Sequence, residues 1–245
     1  MIKKLTYYLL GYLLFFSGCN KEGVGCFNDG GKITSVIIDV PDFSSIDVAT
    51  NIEIEILSEG DDLVELITGE NLVPGISMKV EEGVLLIENL NTCFFARDYT
   101  SPHIKIRNAG LERIVQHGYG RVFSSDTLRL GNLSIQVEDA SGAVDLLVDA
   151  NSIKIVSNNI GPITLKGKSN RLTLGQYWSD GVFVGKDLLV KDCSINHNGA
   201  NRMDVNVVNK LSGSINSIGN VYLYGQRPAI IDVDLTNRGE IIEKF

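Results

Sequence analysis

Ser134-Ile135-Gln136-Val137, Ser152-Ile153-Lys154-Ile155 and Arg171-Leu172-Thr173-Leu174 are short alternating segments, and each precedes a glycine: Gly142, Gly161 and Gly181. Gly199, Gly219 and Gly239 continue the series at intervals of about twenty residues. A second set follows the glycines: Ala143-Val144-Asp145-Leu146, Pro162-Ile163-Thr164-Leu165, Met203-Asp204-Val205-Asn206-Val207 and Asn220-Val221-Tyr222-Leu223-Tyr224. Each segment has a period of two, so one face is apolar and the other polar. One such unit cannot bury its apolar face alone, whereas stacked coils can. Ile153, Ile155, Ile163 and Leu165 of one coil are expected above the matching positions of the next. Equivalent strands then pair in parallel at roughly 4.8 Å.

The expected architecture is therefore all-β: a β-solenoid of parallel strands with about twenty residues per coil. A helical reading fails, because no i, i+3, i+4 stripe occurs and glycine punctuates the segments. A β-sandwich is the competitor, since short strands with regular turn signals also describe one. Recurrence at twenty rather than ten residues, with two distinguishable strands per unit, favours the solenoid. The glycines and asparagines between strands, such as Ser157-Asn158-Asn159 and Asn196-His197-Asn198-Gly199, suit corners with positive φ.

Residues 1–18 read as an export signal: Lys3 and Lys4 precede an apolar core, Tyr7 to Phe16, too short to span a bilayer comfortably. The segment ends Phe16-Ser17-Gly18-Cys19, which resembles the lipobox of bacterial lipoproteins, so Cys19 is expected to carry the lipid that anchors the chain to a membrane. Cys26, Cys93 and Cys193 remain in an oxidising compartment. Three thiols allow at most one internal disulfide; Cys26 with Cys93 is the preferred pair, and Cys193 sits in the alternating context of a buried free thiol. Residues 19–32 are polar and glycine-rich, a flexible tether.

Loss of Lys3 and Lys4 with the signal moves the formal charge from -8 to about -10. An acidic body with no Lys/Arg-rich run disfavours nucleic acid. Residues 33–245 read as one solenoid domain, regular over 108–245. Over 33–107 the strands are longer: Ser35 to Val40, Ile52 to Leu57, Leu63 to Thr68, Ile76 to Val80, Val84 to Asn89 and His103 to Arg107. The turns at Ser58 to Asp62 and Glu81 to Gly83 suggest hairpins, and this half is expected to form irregular first coils or a cap.

No catalytic constellation is legible. Asp126, Asp139, Asp145, Asp149, Asp180 and Asp192 do not recur at matching coil positions, and most sit where Asp is a good turn residue. His103, His117 and His197 are far apart; Cys193 and His197 could share a strand face but lack a third ligand, so neither a metal nor a cofactor is implied. The repeat also lacks the calcium-binding β-roll pattern. Asp126-Thr127-Leu128 looks like a weak O-glycosylation sequon. The aromatics carry more information. If Val221 and Leu223 point inward, Tyr222 and Tyr224 point outward, with Tyr177 and Trp178 at a corner about two coils earlier and Phe183 on the next strand. Stacked outward aromatics suit sugar rings or a partner protein. The plainer reading, preferred here, has them cover the last coils or pack beneath the tail Ile241 to Phe245.

Several segments resemble the bacterial auto-transporter adhesin family with a head GIN domain, common as lipoproteins in Bacteroidetes. They are Phe43-Ser44-Ser45-Ile46-Asp47-Val48, Asn51-Ile52-Glu53-Ile54-Glu55-Ile56, Thr68-Gly69-Glu70-Asn71-Leu72, Val84-Leu85-Leu86-Ile87, Asn91-Thr92-Cys93-Phe94-Phe95-Ala96-Arg97-Asp98-Tyr99, and Gly219-Asn220-Val221-Tyr222-Leu223-Tyr224-Gly225-Gln226-Arg227-Pro228. The usual Gly-Ser-Gly turns become Gly118-Tyr119-Gly120, Ala140-Ser141-Gly142 and Asn198-Gly199-Ala200. The resemblance implies a right-handed parallel β-helix in the cell envelope, anchored to the outer membrane. The functional expectation is a non-enzymatic lipoprotein whose solenoid binds a glycan or envelope protein. A carbohydrate-active enzyme on the same scaffold and a self-associating structural subunit are the alternatives.

Overall fold

The computed structural model describes residues 29–58, 60–92, 101–138, 141–178 and 180–245. The expected signal, Cys19, the Cys26–Cys93 pair, Asp139 and Ala140 lie outside these residues. Alternating apolar residues drive most of the described chain into strands, which join in one sixteen-stranded sheet wound as a solenoid of about six coils.

The coils are built from long strands rather than short ones: β9 (Val122–Val137), β10 (Val144–Ser157), β11 (Ile163–Tyr177), β12 (Phe183–Asn198) and β13 (Met203–Ile215). All pair in parallel with their neighbours. Within β10, Val144, Leu146, Val148 and Ala150 are buried, then Asn151 and Ser152 both lie outside, then Ile153, Ile155 and Ser157 are buried. Two successive outward residues break the alternation, and there the ribbon bends without leaving the ladder. Each strand thus supplies two legs of a coil, and the two strands per unit expected from sequence are one bent strand.

Register stacks like on like. Leu133, Ile153, Leu172, Cys193, Leu211 and Ile231 form one interior column, and Val122, Val144, Ile163, Phe183, Met203 and Val221 another. Residues in these columns up to β14 (Val221–Tyr224) are almost wholly buried. Phe183, read as an outward aromatic candidate, is instead among the largest fully buried side chains. Cys193 fills its column as a small apolar side chain, a free thiol whose burial pushes its pKa up to about 12.

The turn glycines do not adopt positive φ; the glycines that do are Gly31, Gly60, Gly83, Gly167, Gly213 and Gly225. Gly142, Gly161, Gly181, Gly219 and Gly239 are required for close approach. A Cβ at Gly161 would overlap the carbonyl of Gly142, one at Gly181 would lie 2.7 Å from that of Gly161, and one at Gly239 would overlap that of Gly219. The turns stack backbone on backbone.

Each turn is also filled from inside by the last buried residue of a leg. Gln116, Val137, Ser157, Gln176, His197 and Ile215 align in register. The Gln116 amide donates to the carbonyl of Gly120, Gln176 Nε2 donates to that of Gly181 at 3.0 Å, and Asn159 Nδ2 donates to that of Gly161 at 2.9 Å. In the next coil His197 Nδ1 accepts from the Gly199 amide at 3.4 Å. Buried polar groups thus satisfy backbone that the tight turn removes from the ladder.

The N-terminal third departs from sequence order. β2 (Ser45–Val48) and β3 (Glu53–Leu57) form a coil beside β8 (Arg113–Gln116) and β9. β6 (Val84–Asn89) and β7 (His103–Arg107), made later, stack on the outer side of β2 and β3. β4 (Leu63–Gly69) with β1 (Ile33–Ile37), and β5 (Ile76–Glu81), then close this end as antiparallel strands. The expected hairpin at Glu81 to Gly83 forms between β5 and β6. That at Ser58 to Asp62 does not, because β7 lies between β3 and β4. The sequence reading placed no strand at β2 or β8. Lys32 and Gly30 accept backbone bonds from Glu70 and Asn71, so the folded body begins within the residues read as tether.

The other end differs. β15 (Ile230–Leu235) pairs only with β13, and β16 (Ile241–Lys244) only with β14. Each keeps one free edge, and Ile230, Leu235 and Phe245 are exposed there.

Candidate functional site

The four candidate aromatics fall into two groups on different legs. On the first leg Val221 and Leu223 are buried and Tyr222 and Tyr224 face outward, half-buried. Tyr222 lies between Asp204 of β13 and Ile242 of β16, and the Lys244 ammonium sits 5.5 Å from its ring centroid. These tyrosines are flanked by the tail strand. Asp204 beside them is nearly inaccessible although it faces outward, and Arg202 Nε lies 3.3 Å from its carboxylate. Burial raises its pKa, with Arg202 and Lys186 opposing. The strand's apolar pattern hides this residue; the reading of its acids missed it.

Tyr177 and Trp178 end the second leg of the preceding coils, so the structure does not bring them to Tyr222 and Tyr224. The outward positions here are Thr173, Gly175 and Tyr177 on β11; Ser194, Asn196 and Asn198 on β12; Ser212 and Ser214 on β13, with Asn216 just past its end. None carries a charge, on a chain whose formal net charge is -8. The patch is bordered by Lys154 on β10 and by Asp232 and Asp234 on β15.

Its polar groups form one network. Asn196 Nδ2 donates to the Tyr177 hydroxyl at 3.2 Å, and Asn196 Oδ1 accepts from Asn198 Nδ2 at 2.8 Å and Asn216 Nδ2 at 3.2 Å. Thr236 Oγ1 continues it by donating to Asn216 Oδ1 at 2.9 Å. The Tyr177 ring folds back over Gly175: a Cβ there would lie 2.7 Å from Tyr177 Cε2. The missing side chain leaves a depression of about 110 Å³ lined by Lys154, Val156, Gly175, Tyr177 and Asn196 among others.

Several carboxylates elsewhere are held in separate polar contacts. Arg121 binds Asp145, and Lys168 Nζ lies 3.1 Å from Asp149. Asp126 Oδ1 accepts from the Ser58 amide at 3.2 Å. His103 Nε2 is 3.1 Å from Glu55, His117 is near Asp47 and Glu138, and His197 is buried in a turn. Among the described residues no group of three or more His, Cys, Asp or Glu side chains could hold a metal ion. No helix among them is long and apolar enough to cross a membrane.

A β-solenoid with an uncharged, hydrogen-bonded sheet surface is the class these features define. Residues 42–226 match the family described as "Putative auto-transporter adhesin, head GIN domain", and the chain belongs to that family. Its fold is shared with solved Bacteroidetes proteins. The "putative adhesin" of Bacteroides fragilis is 19% identical, with a TM-score of 0.78, over 87% of this chain and 97% of that one. The "putative lipid binding protein" of Parabacteroides distasonis is 16% identical, with a TM-score of 0.61, over 86% of this chain and 97% of that one. A "putative adhesin" of Parabacteroides merdae is also 16% identical with a TM-score of 0.61, over 89% and 98%. No curated protein is similar enough to count as a match.

Proposed function

We propose that the protein is a non-enzymatic, lipid-anchored adhesin of the cell envelope that presents its solenoid side to a glycan or an envelope protein. The observation that carries this is the uncharged patch on β11 to β13, whose side chains are already held by one another. Such a surface binds with little reorganisation and desolvates no charge. Membership of an adhesin-head family supports the adhesive role. The Ser17-Gly18-Cys19 sequence supports the anchor, and paired acyl chains hold a protein to a membrane where one does not.

Two measurements test it. The full chain carrying Cys19→Ala should leave the membrane fraction, and unchanged membrane recovery rejects the anchor. The same soluble form should bind a component of a glycan array or an envelope extract. Turnover of a polysaccharide, abolished by changing one carboxylate, would replace the adhesin reading with an enzymatic one. Self-association is a second reading with its own observation: the free edges of β15 and β16 beside exposed Ile230 and Leu235.

A further inference from the structure

We infer that the end of β11 is a saccharide subsite: Tyr177 and Trp178 form the platform, and Asn196, Asn198 and Thr173 supply the hydrogen bonds to one sugar ring of a longer glycan. The inference deepens the proposed adhesive function and rests on it.

Trp178 is the first argument. It stands at φ 55, in the left-handed region, although it is neither Gly nor Asn. A bulky residue there is a conformational outlier, and such strain persists where something else selects for it. Burial does not select for it, because the side chain is 94% exposed. The folded protein gains nothing visible from a tryptophan at this turn, whereas a ligand would.

The second argument is the shape and chemistry beside it. Tyr177 lies folded back on the sheet against Gly175, and 37% of the residue is exposed. The face of an aromatic ring is electron-rich and meets polarised C–H groups favourably. The C–H face of a pyranose has that character, and its hydroxyls need paired donors and acceptors. Asn196 and Asn198 offer both, and Thr173 adds a hydroxyl one residue from Gly175.

Size narrows the ligand. Lys154, opposite Thr173, is the one charged side chain that lines the depression. The depression, at about 110 Å³, is well below a pocket of roughly 300 Å³ or more that would enclose a free small molecule. It fits one ring of a chain that continues over the sheet, past the neutral Ser212, Ser214 and Asn216.

Trp178 is the sole tryptophan, so its emission reports on the site. The full chain with Cys19→Ala would be titrated with neutral gluco-, manno- and xylo-oligosaccharides and with charged oligogalacturonate. At least one of these series should give a saturable shift of Trp178 emission. Calorimetry with that oligosaccharide should show at least tenfold weaker binding for Tyr177→Ala and for Asn196→Ala. Tyr177→Phe, which keeps the ring, should stay within about threefold, as should Tyr222→Ala/Tyr224→Ala. Trp178→Gly should weaken binding yet raise the thermal midpoint, a combination that a structural role would not give. Loss of midpoint in Trp178→Gly, or silence toward every series, overturns the subsite. Array binding that Tyr177→Ala leaves intact overturns it while the adhesive reading stands; absence of any binding on array and extract removes both.

Discussion

The carbonyl oxygen of Gly142 occupies the space that a Cβ on Gly161 would need, and Gly161 presents its own carbonyl in the same way to Gly181. Glycine is fixed at these turns by the distance between coils.

Gly161→Ala should therefore destabilise the protein by about 2–3 kcal/mol, because the obstructing atom is backbone and both turns must separate. Gly131→Ala is the contrast. A Cβ there meets nothing within 4 Å, and its φ lies outside the left-handed range. It should be neutral or stabilise by up to about 1 kcal/mol through the unfolded chain. Urea midpoints of the two variants check the pair; equal effects would reject close approach as the reason for the ladder.

His197 gives a pH dependence with a definite sign. Burial lowers the pKa of its imidazole, opposed by its hydrogen-bonding interaction with the backbone carbonyl of Asn201, so the unfolded chain takes up a proton that the folded chain refuses. Stability is then retained above the unfolded value near 6.5 and lost as pH falls through it toward the depressed folded value. Gln176 holds the equivalent place one coil earlier and makes its turn bond with an amide. His197→Gln should keep the fold and flatten the slope of stability between about pH 7 and 5. An unchanged slope in denaturation at several pH values would mean that the imidazole does not titrate with unfolding.

Asp204 should act with the opposite sign. Its carboxyl is raised by burial, so the folded state holds a proton that the unfolded state has released, and stability falls as pH rises from the unfolded value near 3.9 toward the raised one. Asp204→Asn should remove that fall, and a larger fall in the variant would show Arg202 to dominate.

Cys193 should resist thiol reagents at pH 8 in the native state and react at once in denaturant, since burial both blocks access and disfavours the thiolate. The measurement uses a chain with Cys19→Ala, Cys26→Ser and Cys93→Ser. Fast native labelling would mean that the column around Cys193 opens locally.

At the C-terminal end, Ile230→Lys/Leu235→Lys should abolish any concentration-dependent association seen by light scattering, because charge on a free strand edge opposes pairing. A mass of one chain at every concentration for the unaltered protein would remove the self-association reading.

The sequence by itself determined the repeat. Alternation at Ile153, Ile155, Ile163 and Leu165 is a local property of the chain, and a period of about twenty residues leaves stacking as the way to bury every apolar face. The six strands foreseen between Ser35 and Arg107 are present for the same reason, with their ends displaced by a few residues. What only the tertiary structure decided is which strands become neighbours. β6 and β7 stack outside β2 and β3 although they follow them in the chain, a matter of long-range pairing that leaves no trace in local pattern. The aromatics show the same division. Alternation sends Tyr222 and Tyr224 outward, but the bend in each strand sets them on one leg and Tyr177 on another. The uncharged patch around Tyr177 exists because register aligns Thr173, Ser194 and Ser212 across three coils, residues separated by about twenty positions in sequence and by one sheet spacing in the fold.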